Sequence, residues 1–300
     1  MNELVSVIIP TYGGGEKLAS SVLSVLDQSY KSIEIIIVDD NGVGTENQIL
    51  TKKRLEEFLS DPRIIYICHE KNKNGSAARN TGFANSKGEY IALLDDDDIF
   101  DKDKLLVQVK SLSENLEYGM SYCSYEKYNS NGKLIETVEA KKSGDLLYPI
   151  LSHEVSLTSG SLLIRRSVWE SVNGFDESFG RHQDWEFVAR VASKYKIISV
   201  PNVGLRKYMV FRNSARSADQ AKAYRNHYLE KMQPYIQQLS RREQKTVMLQ
   251  NKLDIALMYF KDGRYFAFFK EFVKMKPGIK GIKLLIERFL IKRKKQTVKS

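Results

Sequence analysis

The amino-acid sequence predicts an α/β fold with a mostly parallel central sheet flanked by helices, followed by a basic helical C-terminal extension. Short apolar runs rich in β-branched residues alternate with segments whose apolar residues recur at helical spacing, which is typical of βαβ units. From about residue 215 the pattern is helical and basic to the end. Residues 201–300 carry 24 Lys and Arg against 7 Asp and Glu. Residues 1–200 carry 23 Lys and Arg against 30 Asp and Glu. We therefore expect two parts, residues 1–214 and residues 215–300.

Each element of the first part follows from a local pattern. Four apolar runs predict strands at residues 5–9, 33–38, 64–67 and 90–94. The helices expected between and after them have apolar faces at positions 18, 22, 25 and 26, at 55, 58 and 59, and at 105, 109, 112 and 116, together with a small-residue helix at 76–84. The less regular second half predicts strands near 120–125, 134–138 and 161–165 and a helix over 184–195.

Composition limits the class of protein. Of 300 residues, 42% are hydrophobic and 28% are charged, as in ordinary globular domains. Two cysteines, Cys68 and Cys123, are too few for a disulfide framework or a zinc site, so a reducing compartment is expected. No run approaches the roughly 20 apolar residues of a membrane span. The short apolar run near the N-terminus does not fit a secretory signal, so we expect a cytoplasmic protein.

Polar residues follow three of the predicted strands, at the sheet edge where open α/β folds bind ligands. Carboxylates a few ångströms apart repel one another unless a cation neutralises them. Mg²⁺ needs only one or two carboxylates when substrate phosphates complete its shell. The run after the fourth strand therefore predicts a metal and a diphosphate, with a solvated acidic turn as the alternative. The residues concerned are Pro10, Thr11, Tyr12 and Gly13–Gly15 after the first strand, Asp39 and Asp40 after the second, and Asp95, Asp96, Asp97 and Asp98 after the fourth.

Two further residues are candidates for chemistry. Arg79 lies in the small-residue helix, which can approach the sheet closely and bring the guanidinium to a diphosphate. Asp184 begins the predicted helix at 184–195. Taken alone, the pattern favours a surface ion pair for Arg79 and a helix cap or first-turn acid for Asp184. The glycines at 13–15 indicate a turn rather than a phosphate-binding loop, because the Lys-Ser/Thr of a P-loop is missing.

In order and spacing, five segments over residues 4–200 resemble the family-two inverting glycosyltransferases, which have the nucleotide-sugar-binding GT-A fold. The segment at 88–98 is similar to the one that ends in the family's DxD motif. The chain departs from the family pattern at Gly13–Gly15, where a polar stretch is usual, and at Gln183, where Glu usually precedes the base. The segments are Val-Ser-Val-Ile-Ile-Pro-Thr-Tyr at 5–12, Ile-Ile-Ile-Val-Asp-Asp at 35–40, Ala-Ala-Arg-Asn-Thr-Gly at 77–82 followed by 88–98, Asn-Gly-Phe-Asp-Glu at 173–177, and 183–190.

The resemblance implies a role for each matching residue. Asp97 would bind Mg²⁺ or Mn²⁺ with Asp95 in support. Because four aspartates follow one another, a residue next to Asp97 is an alternative metal ligand. Asp184 would be the general base. The expected nucleotide-sugar contacts are Pro10, Thr11 and Tyr12 to base and ribose, Asp40 to the base, usually uracil, Asp96 to the ribose, and Arg79 to the diphosphate.

The resemblance also implies an activity. A sugar would be transferred with inversion from a nucleotide sugar, first of all a UDP-sugar, to a saccharide or lipid-linked saccharide acceptor in bacterial surface polysaccharide synthesis.

Two rival functions remain. A nucleotidyltransferase would also use acidic metal ligands, but the chain has no Gly-rich basic activation loop near its N-terminus. A nucleic-acid-binding protein could use the basic tail. The aromatic residues of the tail cluster with aliphatic residues, so we expect a helical core and no nucleic-acid partner. These aromatics are Tyr259, Phe260, Tyr265, Phe266, Phe268, Phe269 and Phe272.

The end of the tail predicts an amphipathic helix over residues 281–292. Its apolar stripe consists of Ile282, Leu285, Ile286, Phe289 and Leu290, and cations surround the stripe, including the run at 292–295. Such a helix lies in the interface of an anionic membrane, which would place the protein at the inner face of the cell membrane. Packing of the stripe against the protein's own helices is the alternative.

Overall fold

The structure, a computed structural model, describes residues 3–209 and 217–297, without the side chains of residues 280 and 289–297. The chain divides into two compact units. The first unit comprises residues 1–150 and 155–212, and the second comprises residues 151–154 and 213–300. The boundary expected between residues 214 and 215 lies outside the described residues.

The described part of the first unit contains a nine-stranded sheet in the order β3-β2-β1-β4-β8-β6-β9-β5, with β7 paired to β6. β1 pairs in parallel with β2 and β4, β2 with β3, and β6 with β9, whereas β8 runs antiparallel between β4 and β6. Every predicted strand is present; β5 and β9 were not predicted. The strands are β1 (Val5–Thr11), β2 (Ile33–Asp39), β3 (Ile64–Cys68), β4 (Tyr90–Leu93), β5 (Ile99–Phe100), β6 (Tyr118–Tyr128), β7 (Leu134–Val138), β8 (Leu162–Arg165) and β9 (Lys196–Tyr208).

Helices flank this sheet and enclose a core formed by the apolar residues of β1, β2, β4, α1 and α4. Two helix predictions need correction. Leu116 does not face the core, because α4 ends at Glu114 and the Leu116 side chain is 79% exposed. The predicted helix at 184–195 ends at Ala192, since strand β9 begins four residues later. The helices of the first unit are α1 (Leu18–Leu26), α2 (Glu46–Leu55), α3 (Gly75–Ala84), α4 (Lys104–Glu114), α5 (Leu147–Leu151, whose last residue belongs to the second unit), α6 (Arg166–Ser171) and α7 (Gln183–Ala192).

Helix α3 lies unusually close to the sheet. A Cβ atom at Gly82 would stand 2.4 Å from Cγ2 of Ile8 on β1, so only glycine permits this approach. The N-terminus of α3 is capped by Asn74, whose side-chain oxygen accepts hydrogen bonds from the amides of Ser76 and Ala77. This packing confirms that the small residues of α3 bring it against the sheet.

The second unit is helical. A small core joins α8, α9 and α10 through Ala218, Ile255, Ala256, Tyr259 and Phe268, and Leu285 of α11 packs against it. Among the described residues, no helix combines the length and apolar character needed to cross a bilayer. The helices are α8 (Ala218–Ile236), α9 (Arg241–Lys261), α10 (Tyr265–Lys274) and α11 (Gly278–Thr297).

The expectation that the tail aromatics form a helical core is wrong for three of them. Tyr265, Phe266 and Phe269 are exposed, and Phe266 is exposed to 86%. The apolar stripe of α11 is divided in the same way, because Leu285 packs inward while Ile282 and Ile286 are exposed. The side chains of Phe289, Leu290 and the cationic run at 292–295 lie outside the described part of the chain.

Candidate active site

The carboxyl ends of β1, β2 and β4 meet at one edge of the sheet, because β1 pairs in parallel with both neighbours. This edge therefore carries the segments 10–15, 39–40 and 95–98 together, as the sequence predicted. The N-termini of α3 and α7 reach the same edge through the side-chain contacts of Arg79. The candidate site is built from these five segments.

A lysine from β9 neutralises part of the acidic run. Nζ of Lys207 lies 3.1 Å from Asp95 and 2.8 Å from Asp98, and the amide of Tyr208 donates to Asp98. The antiparallel pairing of Ile99 with Arg206 accounts for this contact, since it places residue 207 beside residue 98. No sequence motif indicated Lys207, because only the strand register brings it to the site.

The pKa values of this cluster follow from burial and from the shared cation. Burial raises the pKa of Asp98, and the carboxylates of Asp95 and Asp97 raise it further against the effect of Lys207. Burial also acts to raise the pKa of Asp95, but Lys207 and Arg79 outweigh it and hold that pKa well below its usual range. Asp95 and Asp98 thus have cationic partners in the protein itself, and the expected divalent cation at this run stays a prediction.

Asp96 connects the acidic run to the end of β1. The hydroxyl of Thr11 donates to its carboxylate at 2.7 Å, and the amide of Tyr12 lies 3.4 Å from the same oxygen. Thr11 and Asp96 are buried, whereas the ring of Tyr12 is 54% exposed, and Pro10 is half-buried beside it. The structure thus brings Thr11, Tyr12 and Asp96 together and leaves the Tyr12 ring open to a ligand.

Arg79 links the acidic run to the start of α7. Its guanidinium donates to Asp95 at 2.8 Å, to the side-chain oxygen of Gln183 at 2.9 Å and to the carbonyl of Gly75 at 3.1 Å. The side chain is almost fully buried, and its Nε has no hydrogen-bond partner among the described residues. Because Gln183 carries no charge, the carboxylate that balances Arg79 is Asp95.

Asp184 follows Gln183 in the first turn of α7. Its carboxylate is partly buried and accepts a hydrogen bond from the amide of Trp185. Burial raises the pKa of Asp184; Arg79 opposes this shift, and Asp95 adds to it. A carboxylate of raised pKa beside the strand-end cluster has the properties of a general base.

The segment at 173–177 determines how α3 and α7 lie against each other. Asn80 of α3 donates to the carbonyl of Phe175 and to the side chain of Glu177. Arg190 of α7 donates to the carbonyl of Gly174, and the rings of Phe175 and Phe187 stack at 4.4 Å. This part of the resemblance therefore supports the position of Asp184 structurally.

The carboxylate of Asp40 is fully engaged within the protein. One oxygen accepts the amide of Lys73 and contacts Nδ1 of His69; the other accepts the amide of Asn74 and the side-chain amide of Asn72. Asp40 is buried and anchors the loop at 69–74. A contact with a nucleotide base has no support from this arrangement and stays a prediction.

The glycine stretch forms a turn, as expected. Gly13, Gly14 and Gly15 all have positive φ values of 85°, 85° and 53°, which other residues rarely adopt. The amide of Gly13 donates to the side chain of Asn41, and Arg54 of α2 donates to the carbonyl of Gly14. These contacts hold the turn against the loop after β2 and against α2.

Among the described residues, no group of three or more His, Cys, Asp or Glu side chains is arranged to hold a metal ion. Asp97, the expected metal ligand, is partly exposed and lies close enough to Asp98 to raise its pKa. Both cysteines are free thiols, Cys68 half-buried and Cys123 buried.

Comparison with known proteins places this geometry in a family. The amylovoran biosynthesis glycosyltransferase AmsB of Erwinia amylovora is 27% identical over 267 residues, covering 86% of this chain and 85% of AmsB. An Escherichia coli protein, the UDP-Glc:alpha-D-GlcNAc-diphosphoundecaprenol beta-1,3-glucosyltransferase WfgD, is 34% identical over 46% of this chain and 52% of its own length. An uncharacterized glycosyltransferase of Rickettsia felis is 34% identical over 64% of the chain, which spans only about a third of that relative.

Solved structures share the fold. The mannosyltransferase PcManGT of Pyrobaculum calidifontis, in complex with GDP-Man and Mn²⁺, superposes with a TM-score of 0.60 at 15% identity, covering 97% of this chain and 81% of PcManGT. The structure of S. aureus TarS 1-349 in complex with UDP-GlcNAc superposes with a TM-score of 0.59 at 15% identity. The match covers 84% of this chain and 80% of the TarS chain. These are GT-A glycosyltransferases. The sequence profile of Glycosyl transferase family 2 matches residues 6–172, more than half of the sequence, and the chain belongs to that family.

Proposed function

We propose that this chain transfers a sugar, with inversion of its anomeric centre, from a nucleotide sugar to a hydroxyl group of a saccharide or lipid-linked saccharide. A UDP-sugar is the first choice of donor, and bacterial surface polysaccharide synthesis is the proposed setting. The observation that carries the proposal is the bridge made by Arg79, which holds the start of α7 and Asp184 beside the strand-end carboxylates. The names of AmsB and WfgD, which refer to amylovoran and to a diphosphoundecaprenol acceptor, support the setting.

We assign catalysis to residues 1–214 and regard residues 215–300 as a basic helical extension. In the catalytic part, Pro10, Thr11 and Tyr12 line the base and ribose, and Asp96 lies by the ribose. Exposure of the Tyr12 ring supports this, because an aromatic face beside a buried polar cluster is a suitable stacking surface. Asp40 contributes by holding the loop at 69–74, whose amides occupy its oxygens.

Arg79 faces the diphosphate in this proposal. Its guanidinium reaches the strand ends through its contact with Asp95, and an arginine fork suits the oxygens of a diphosphate. The donor set near it fits a hard cation only when substrate oxygens complete the shell. Mg²⁺ or Mn²⁺, held by Asp97 with Asp95 in support and by donor phosphates, would supply Lewis-acid stabilisation of the leaving nucleoside diphosphate.

Asp184 takes the proton from the acceptor hydroxyl as that oxygen attacks the anomeric carbon from the face opposite the nucleotide. One in-line displacement inverts the configuration. The raised pKa of Asp184 increases its basicity, which suits proton removal from a hydroxyl. Gln183 keeps Arg79 directed towards Asp95 and so leaves the Asp184 carboxylate without an arginine partner in the described contacts.

The test is the Asp184→Asn variant, assayed for sugar transfer and for UDP affinity in the presence of Mn²⁺. We expect turnover to fall by about 10²- to 10⁴-fold, the usual contribution of a general base, with the UDP dissociation constant within about twofold. Asp103→Asn, an exposed carboxylate without a capping hydrogen bond, is the matched control. Release of pyrophosphate instead of a nucleoside diphosphate, or a product with retained anomeric configuration, would show that the proposal is wrong.

We further propose that the protein is cytoplasmic and that its extension attaches it peripherally to anionic lipid at the inner face of the cell membrane. The support is an exposed apolar surface on α10, made by Phe266, Phe269 and Val273, together with Ile282 and Ile286 on α11. Exposed aromatic side chains next to cationic residues are typical of interfacial helices. The arrangement differs from our expectation, since α10 contributes more exposed apolar side chains than the predicted stripe of α11 does within the described residues.

A further inference from the structure

A cavity of about 690 Å³ lies in the second unit, where α9 faces the turn between α10 and α11. Its size falls within the range of small-molecule binding sites. Its lining contains five cationic side chains, Arg241, Arg242, Lys245, Lys252 and Lys276. The transfer reaction proposed above uses none of these residues.

The five cations have no ion-pair or side-chain hydrogen-bond partner within the ranges that the structure describes. Five carboxylates of the same unit have partners of their own. All five cations are exposed to solvent, which screens their mutual repulsion, and together they raise the local concentration of anions. The engaged carboxylates are Asp219 with Arg264, Glu243 with Ser240, Asp254 with Arg225 and Arg288, Asp262 with the amide of Ala218, and Glu271 with Lys222.

The backbone holds the cavity wall in place. Arg241, Lys245 and Lys252 lie on one face of α9 because they are spaced by about one or two helical turns. Lys276 has a φ of 47°, at the position after α10 where glycine or asparagine is usual. A Cβ atom at Gly281 would stand 2.4 Å from Cβ of Pro277, so the first turn of α11 packs tightly on this turn.

The rest of the lining is apolar. Met248, Leu249, Met275 and Pro277 are half-buried in the wall, and Ile279 is exposed two residues after Pro277. A purely ionic ligand would gain nothing from these side chains, whereas a molecule with a phosphate group and a hydrocarbon part would use both surfaces. The combination favours an anionic amphiphile over a free polyanion.

We propose that this cavity binds the phosphate head group of an anionic amphiphilic lipid. The phosphate lies among the side chains of Arg242, Lys245 and Lys252, and the first part of the hydrocarbon contacts Met248 and Met275. The site does not depend on the proposed sugar transfer, and its binding can be measured without any donor sugar. It also differs from the exposed surface on α10, whose residues do not line the cavity.

The test is calorimetric titration of the full chain with dihexanoyl phosphatidylglycerol, kept below its micelle concentration, and with inorganic pyrophosphate. The double variant Lys245→Gln with Lys252→Gln removes two cavity charges. The matched control, Lys261→Gln with Lys270→Gln, removes two exposed charges of the same unit outside the cavity. We expect the cavity variant to lose affinity for the lipid by at least tenfold and the control by less than twofold.

Circular dichroism checks that the variants retain their helices. A further variant, Lys276→Asn, removes a third cavity charge at a position outside the helices, where asparagine tolerates the positive φ. A lipid affinity that falls in the cavity variants alone supports the proposal. Equal losses in the cavity and control variants would show diffuse charge attraction and overturn it. So would pyrophosphate binding as tightly as the lipid, or a short single-stranded RNA competing for the cavity more strongly than the lipid does.

Discussion

Lys104, the first residue of α4, is a buried cation without a carboxylate partner among the described residues. Its side chain is 3% exposed, and Nζ donates to Gln108 at 2.7 Å and to the carbonyl of Leu162 at 3.3 Å. The ring of Phe100 lies 4.2 Å from the ammonium. Burial lowers the pKa of Lys104 to about 8 from its usual 10.5. This shift predicts a measurable dependence of stability on pH.

The unfolded chain holds the Lys104 proton more tightly than the folded chain does. The cost to folding is therefore fully present below pH 8 and disappears as the pH rises towards 10.5. A pKa lowered from 10.5 to about 8 corresponds to about 3 kcal/mol of unfolding free energy, and about 2 kcal/mol of it is recovered between pH 7 and pH 10. In Lys104→Met this pH-dependent gain is absent.

The assay is urea unfolding of the wild type and Lys104→Met at pH 7, 8.5 and 10, followed by tryptophan fluorescence. Both tryptophans, Trp169 and Trp185, belong to the first unit, so the signal reports the unit that contains Lys104. The difference in unfolding free energy between wild type and variant should change by about 2 kcal/mol over this range in favour of the wild type. Lys110→Met, an exposed lysine on the same helix, is the control. If the unfolding free energies of the wild type and Lys104→Met change with pH by the same amount, the buried-cation interpretation is refuted.

Three further predictions concern the site and the extension. Excess EDTA should abolish transfer, and Asp97→Asn should lower it by at least about 10²-fold while Asp103→Asn does not; full activity in EDTA would contradict this. Lys207→Met should destabilise the first unit by about 3 kcal/mol in thermal unfolding, because it leaves the buried carboxylate of Asp98 without its cation, and Mn²⁺ should raise its Tm more than that of the wild type. Phe266→Ser with Phe269→Ser should reduce co-sedimentation with anionic vesicles at unchanged helicity; unaltered co-sedimentation would exclude α10 as the contact.

The strands at the start of the chain were predictable because they are buried on both faces. Their β-branched runs are continuous, and a turn or polar pair ends each one. Strand β9 was missed since Pro201 and Asn202 interrupt its apolar pattern, and its pairing with β6 is a long-range contact. The omission had a chemical consequence, because β9 carries Lys207 to the acidic run.

The sequence did not show which hydrogen-bond and ion-pair partners the side chains of the site have. Asp40 and Asp95 both follow buried strands and look alike in the sequence, yet loop donors occupy both oxygens of Asp40 while two cations share Asp95. In the extension, helical spacing predicted an apolar stripe on α11 and clustering predicted a core of aromatic side chains, but neither pattern shows which side chains another element covers. Phe268 is buried and Phe269 exposed for that reason.

The charge of the strand-end cluster gives a physical reason for the metal use proposed above. Four carboxylates, Asp95 to Asp98, face two cations, Arg79 and Lys207, so their formal charges sum to −2 when all the acids are ionised. A nucleoside diphosphate adds negative charge at the same edge, and like charges a few ångströms apart repel by kcal/mol amounts in a partly buried cleft. One divalent cation offsets the excess charge of the cluster. In the transfer reaction proposed above, metal is therefore needed when the donor arrives rather than in the free protein, where Lys207 and Arg79 pair with Asp95 and Asp98.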